Sequence, residues 1–106
     1  MNKVLYKKNK YNAIKTKIDE ISFDSKAEAN RYIELKLLQR TNKIKWFIRQ
    51  PKFDLPGSTS YRADFLIVWD NDKITIEDVK GVRTPSFIRA KKQVEALYPI
   101  KIEIVK

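Results

Sequence analysis

Three ionisable residues in the second half of the chain have the types and spacing for chemistry. Asp64 lies in "YRADFLIVW" (61–69), and Asp78 and Lys80 lie in "ITIEDVKG" (74–81). Side chains two apart on a strand point the same way, so Asp78 and Lys80 share a face. Two carboxylates converging on a sheet beside a lysine can bind a hard divalent cation through oxygen. Magnesium keeps several waters, one of which can attack a phosphodiester while the metal offsets the developing charge. The lysine can orient that water or stabilise charge at phosphorus. The chain contains no histidine and no cysteine. Imidazole and thiolate ligands, disulfides, and Ser-His or Cys-His catalysis are therefore excluded.

Each of these residues has a plainer reading. Asp64 sits among apolar neighbours, where a carboxylate needs a partner, a metal or a neutral state. An ion pair with Arg62 or Lys80 is the alternative to a metal. Asp78 and Lys80 could form an exposed strand end before Gly81. Ile74 and Ile76, on the same face, argue that this face packs inward. Glu77 shares the other face with Thr75 and Val79 and is assigned to solvent or a basic patch. The hairpin register decides whether Asp64 joins the pair. A three-residue loop puts Asp64 on the face of Asp78 and Lys80, whereas a two-residue Asn71-Asp72 turn puts it with Glu77. The three-residue loop is the expectation.

The elements that must position these groups are legible in outline. Residues 1–14 read as a basic N-terminal arm, and 15–106 as a single domain. "KTKIDEISFDS" (15–25) reads as a small hairpin turning near Asp19-Glu20. A helix is expected from Ser25 to about Arg40. "IKWFIRQPKFDL" (44–55) is a strand that Pro51 interrupts or confines to an edge. Residues 61–69 are apolar on both faces, as expected for a strand inside a layered sheet. Thr84-Pro85 supplies an N-cap and a first-turn proline for a helix to about Tyr98, which Pro99 stops. "IKIEIVK" (100–106) alternates as a final strand. Two helices that must each bury a stripe, with a strand covered on both sides, imply an α/β sandwich.

Lys+Arg exceeds Asp+Glu by 23 to 13, a formal net charge of +10. So basic a chain suits a polyanionic partner, most simply a nucleic acid. A lysine-rich soluble protein is the plainer reading. No apolar run is long enough to span a membrane, the N-terminus has no signal-peptide stretch, and a cytoplasmic setting is expected.

Asp64, a short hairpin and "DVKG" (78–81) together resemble the signature of the PD-(D/E)XK nuclease superfamily. "FDSKAEANRYIEL" (23–35) resembles its first helix, which often carries a glutamate near the metal; Glu28 stands at that position. "FDSKAE", "YRADF" and "EDVKG" look closest to a small phage-associated family of uncharacterised nuclease-like proteins in that group. The resemblance covers roughly residues 20–106. Each motif alone is common by chance, and the three in order are more specific. Ala63 stands where the pattern often has proline. The resemblance implies a three-layer α/β/α sandwich with a restriction-endonuclease-like core, helix-strand-strand-strand-helix-strand, around a mixed four-stranded sheet. It implies Mg²⁺, with Mn²⁺ as a substitute, held by Glu28, Asp64 and Asp78, with Lys80 as the catalytic lysine.

Glu28 also fits a capping box with Ser25, although Tyr32 and Leu35 share its helix face. Lys91 falls on the stripe Phe87–Lys91–Val94–Tyr98, where it either snorkels along the core edge or reaches the scissile phosphate. Arg62, Arg83, Arg89 and Lys92 are expected backbone contacts, against a solvated charged face as the alternative. Trp46 and Trp69 read as core or interface residues rather than base-stacking platforms. The expectation is a Mg²⁺-dependent DNA endonuclease in phage or bacterial replication, recombination or repair. So small a domain has little surface for reading base sequence. Double-stranded or branched DNA, such as a Holliday junction, is the expected substrate, and a homodimer would suit it. The alternative is a non-catalytic nucleic-acid-binding module or a phage–host interaction protein on a nuclease-like fold.

Overall fold

A computed structural model describes residues 5–8 and 14–106 of the chain. They group into two compact units, one up to Leu37 and one from Leu38 onward.

In the first unit, β1 (Leu5–Lys8), β2 (Ile14–Ile18) and β3 (Ile21–Phe23) form an antiparallel sheet in that order. The turn falls at Asp19-Glu20 as expected, with both residues at positive φ (52° and 64°). That pair of left-handed residues matches the twist of a two-residue hairpin. Part of the expected N-terminal arm is strand β1; residues 1–4 and 9–13 lie outside the described residues. Helix α1 (Lys26–Arg40) opens on Ser25, whose hydroxyl accepts the Glu28 backbone N–H at 3.1 Å. Ala29, Tyr32 and Leu35 form its buried stripe. The Tyr32 ring packs 5.1 Å from that of Phe23, and its hydroxyl donates to Asp19.

The second unit contains β4 (Ile44–Arg49), β5 (Lys52–Leu55), β6 (Thr59–Arg62), β7 (Phe65–Trp69), β8 (Ile74–Val79), α2 (Pro85–Leu97) and β9 (Ile102–Val105). Its main sheet has the order β4-β7-β8-β9, antiparallel except for the parallel β8–β9 pair. A parallel pair needs a long crossover, and α2 supplies it. The described residues thus form an α/β protein with two helices and a mixed four-stranded sheet, as expected at that level. Thr84 caps α2 by accepting the Phe87 N–H at 3.1 Å, with Pro85 behind it. Among the described residues, no helix is long and apolar enough to cross a membrane.

The structure departs from the expected strands at one point. Arg49 pairs with Phe65, and Lys52 with Arg62, in one continuous register. Strands β4–β5 and β6–β7 are therefore the two arms of a single long hairpin, bent in its middle. Pro51 removes a ladder donor there, and Gln50 takes a left-handed φ of 53°. The bend is held by Gln50 N–H to Asp64 O at 2.9 Å and Ala63 N–H to Pro51 O at 3.1 Å. Beyond it, the tip leaves the sheet and packs on α2. Phe53 meets Tyr98 edge-on, and the Tyr98 hydroxyl donates to Asp54 O at 2.8 Å. Leu55 and Ala63 from the hairpin, Ile76 and Ile102 from the sheet and Val94 from α2 share one core.

Candidate active site

The β7–β8 connection is the three-residue loop Asp70-Asn71-Asp72. It is closed by Trp69 N–H to Lys73 O and Asp72 N–H to Trp69 O, with Asp72 in the left-handed region at φ 70°. The resulting register pairs Phe65 with Glu77. Continued by one residue, it sets Asp64 opposite Asp78, the arrangement the loop length predicts.

Asp64 does not lie in the middle of a doubly covered strand, as its apolar neighbours suggested. It stands at the hairpin bend, half-buried, between β6 and β7. Its own N–H donates to Glu77 O at 3.0 Å, and its Oδ2 accepts the Val79 N–H at 2.7 Å. The two bonds land on either side of Asp78. Because the bend ends the regular ladder, the Val79 N–H bonds a side chain instead of a strand carbonyl. The partner of Lys80 is Asp78 rather than Asp64, with Nζ 3.6 Å from Asp78 Oδ1.

Asp78 is 1% exposed, and its Oδ2 is buried with no hydrogen-bond partner. Burial pushes its carboxyl above the ordinary value of 3.8, against the pull and the hydrogen bond of the Lys80 ammonium. The lysine keeps part of its side chain in solvent, and its Nζ lies 5.2 Å from the centre of the Phe87 ring. Phe87 is thus a member of the site that sequence reasoning missed. Its signal was its place three residues after the Thr84 cap, which turns its ring toward the end of β8.

Several expectations need correction. Glu77 is 3% exposed, not solvated. β8 lies inside the sheet, so Glu77 is flanked by Phe65 on β7 and Glu103 on β9. Ile76 packs inward, but Ile74 at the start of β8 is 57% exposed. Trp46 is not a core residue: it lies on an outer strand of the sheet, 48% exposed.

Of the remaining candidates, Lys91 is engaged within α2, bonding both carboxylate oxygens of Glu95 at 3.1 and 3.0 Å. Glu95 also accepts the Ile102 N–H at 2.8 Å. Burial alone would raise the Glu95 carboxyl, but the Ile102 N–H and the Lys91 ammonium outweigh it and hold the group below its ordinary value. Arg62, Arg83, Arg89 and Lys92 are exposed. Glu28 is buried and belongs to the first unit, with its backbone N–H capped by Ser25.

Among the described residues, no three acidic side chains gather into a metal-holding group. The fit to a cation rests on Asp64 and Asp78. An orphaned, buried carboxylate oxygen is the kind of donor a cation satisfies, and Mg²⁺ accepts one or two carboxylates, with waters completing its shell. A cleft of about 210 Å³ lined by Trp69, Asp70, Asn71, Lys73, Thr75 and Glu103 lies at the turn end of the β7–β8 hairpin, away from Asp78.

Residues 8–106 match the model of a family described as a protein of unknown function, DUF1064, and the chain belongs to that family. No curated protein matches it.

Proposed function

We propose that this member of a family of unknown function is a metal-dependent nuclease that hydrolyses DNA phosphodiesters. The supporting observation is Asp78: a buried carboxylate with one oxygen unpartnered, a lysine 3.6 Å from the other, and Asp64 across the strand pair. A structural ion pair would use both oxygens or stand in solvent. The element order from α1 through the bent hairpin, β8, α2 and β9 is compatible with a restriction-endonuclease-like core. On this reading the protein is a PD-(D/E)XK relative.

Asp64 and Asp78 would hold a Mg²⁺ or Mn²⁺ ion, which supplies an activated water and neutralises charge on the phosphoryl oxygens. The chain's own residues then have separable tasks. The bond from Val79 N–H fixes the Asp64 carboxylate so that it faces β8. Lys80 carries three N–H donors. With one turned to Asp78, the others are available to a non-bridging phosphate oxygen or the attacking water. Phe87 supports the ammonium from its apolar side. Arg83, before α2, and Arg89, early in it, are exposed and would contact neighbouring phosphates. A site at the edge of so small a domain suits branched or flapped DNA better than a long sequence-read duplex.

The test is a panel of linear, flapped and four-way-junction DNAs with Mn²⁺ or Mg²⁺. Wild-type protein should cut at least one of them. Lys80→Ala and Asp78→Asn should lose roughly 10²–10³-fold in rate while still binding DNA. Unchanged cutting in both variants would overturn the site. Tight, salt-sensitive binding without cutting of any form would favour a non-catalytic binding module.

A further inference from the structure

Between Asp78 and Glu95 the chain carries five cations, Lys80, Arg83, Arg89, Lys91 and Lys92, and no Asp or Glu. The fold sorts them. Phe87 and Val94 bury the inner side of α2. At about 3.6 residues per turn, Pro85, Arg89, Lys92 and Ala96 fall on the opposite side, and all four are exposed. Lys91 lies toward the inner side and is held by Glu95. Arg83 is exposed just before the Thr84 cap. Among the described residues, Arg83, Arg89 and Lys92 have no carboxylate partner. The acidic groups of the second unit are engaged or lie elsewhere. Glu95 is bound by Lys91 and the Ile102 N–H, Asp78 by Lys80, and Asp64 by the Val79 N–H. Asp54, beside Tyr98 at the far end of the helix, has Lys52 at 3.9 Å. Glu77 and Glu103 alternate onto the other face of the sheet, and Asp70 and Asp72 sit in the turn at the opposite end of β8. Within its own unit, the outward side of α2 meets no offsetting charge.

We infer that the outward side of α2, with Arg83 ahead of it, seats the phosphate backbone of double-stranded DNA beside the Asp78 site. The inference deepens the nuclease reading and rests on it for the chemistry of that adjoining site. Unpaired positive charge along one side of a helix favours a polyanion. The Phe87 ring is buried and the Tyr98 ring meets Phe53 edge-on, so this side of α2 has no aromatic face on which an unpaired base could stack. It offers charge at fixed spacing, which suits the regular phosphates of a duplex better than a flexible strand. From Thr84 to Lys92 is about 12 Å of helix, the axial length of three to four nucleotides of one strand at about 3.4 Å each. Pro85 and Ala96, the small uncharged members of the row, let the backbone come close. Arg83 follows Lys80 by three residues, which starts the seat at the lip of the Asp78 site. A duplex lying along α2 thus brings one of its phosphates toward Lys80.

The experiment measures binding in EDTA, so it does not depend on cleavage. A labelled blunt duplex is titrated over a range of salt with wild type, Arg83→Gln, Arg89→Gln, Lys92→Gln, the triple variant and a control, Lys45→Gln. The control removes the same charge at the β7–β8 turn, where Lys45 pairs with Asp72. Circular dichroism checks that each variant is folded, as exposed positions allow. Each single variant in the seat should flatten the slope of log affinity against log salt by about 0.9, and the triple variant by about 2.7. Lys45→Gln should leave the slope unchanged. Oligo(dT) should bind more weakly than the duplex, and polyglutamate at equal charge should not displace it. Equal slopes in wild type and the triple variant overturn the seat. So does an equal flattening in Lys45→Gln, because the attraction then belongs to the whole chain of net charge +10. Oligo(dT) binding as tight as the duplex overturns it as well, as does displacement by polyglutamate, which would make the partner an acidic protein. Duplex binding that depends on the seat, without cutting of any DNA in Mn²⁺, would sink the nuclease reading alone.

Discussion

Replacing Asp78 with asparagine tests the site without relying on catalysis, because it keeps the side chain's shape and removes its charge. In the metal-free protein, burial raises the Asp78 carboxyl more than Lys80 lowers it. Ionising this group therefore costs more in the folded chain than in the unfolded one. With the folded pKa above the unfolded value, the native state holds more protons between the two. Stability then falls as pH rises through that window and stays lower above it. Asparagine carries no such penalty. Both side chains leave one buried polar atom unpartnered, a cost of ~1–3 kcal/mol that largely cancels between them. What remains is the charge contribution, which favours the variant.

In EDTA at neutral pH, Asp78→Asn should accordingly be the more stable protein, with each 1 kcal/mol of relieved penalty raising Tm by roughly 4–8 °C for a domain of this size. The gap should close as the pH is taken below 3.8, where the wild-type carboxyl is protonated in both states. Divalent cation should reverse the order. A cation that binds only the native state stabilises by about 2.7 kcal/mol at a hundred times its Kd, and the variant lacks the ligand. Thermal unfolding by circular dichroism, with EDTA and then with saturating Mn²⁺, reads both effects. A variant less stable than wild type in EDTA at neutral pH would refute the desolvation argument. An equal Mn²⁺ shift in both proteins would refute Asp78 as a ligand.

Asp64→Ala should cost about 1–3 kcal/mol in urea unfolding even without metal, because it strands the Val79 N–H that Asp64 now accepts at 2.7 Å; no loss would mean that the bond is replaced by water. Glu95→Gln should flatten the acid limb of the stability curve. The folded pKa of Glu95 lies below its ordinary 4.5, so its contribution is present above 4.5 and is lost as pH falls through the lower folded value. A denaturant midpoint with the same pH dependence in wild type and variant would show that the Lys91 and Ile102 contacts contribute nothing.

The parts of the fold legible in sequence were those governed by local chemistry. Thr84-Pro85 marks a helix start because cap and proline act within one turn. Asp19-Glu20 was placed correctly without glycine, and the structure pays for it with two left-handed residues. The Asp64–Asp78 alignment was readable from loop length, because strand register is a parity that one residue inverts. Less legible was anything set by what covers a surface. Glu77 alternates correctly, yet its burial depends on β9 arriving from the chain's far end to pair with β8. Trp46 has the composition of a core residue and is exposed because β4 is an outer strand and α2 lies over β8 and β9. The bend was half visible in Pro51, but its consequence for Asp64 required the partner arm.

That bend joins fold and site in one device. A long hairpin lying flat would carry the register straight through, and the Val79 N–H would meet a strand carbonyl. By turning the hairpin tip onto α2, Pro51 and Gln50 end the ladder beside the last residues of β8. Asp64 fills the vacancy with its side chain and is fixed against β8 by it. Asp78, one residue earlier, remains inside the sheet, beneath the crossover that leads into α2. Its two oxygens have only Lys80 between them. Around it Thr84 caps the helix, Lys80 N–H bonds Val105 O, and Ile76 is packed. Sequences that satisfy their local rules tend to break them at functional positions. Selection for stability alone would place an apolar side chain at position 78, because an unpaired buried oxygen there only destabilises the fold. A carboxylate at that point, opposite a second one and beside a lysine, is the observation on which the proposed cation site rests.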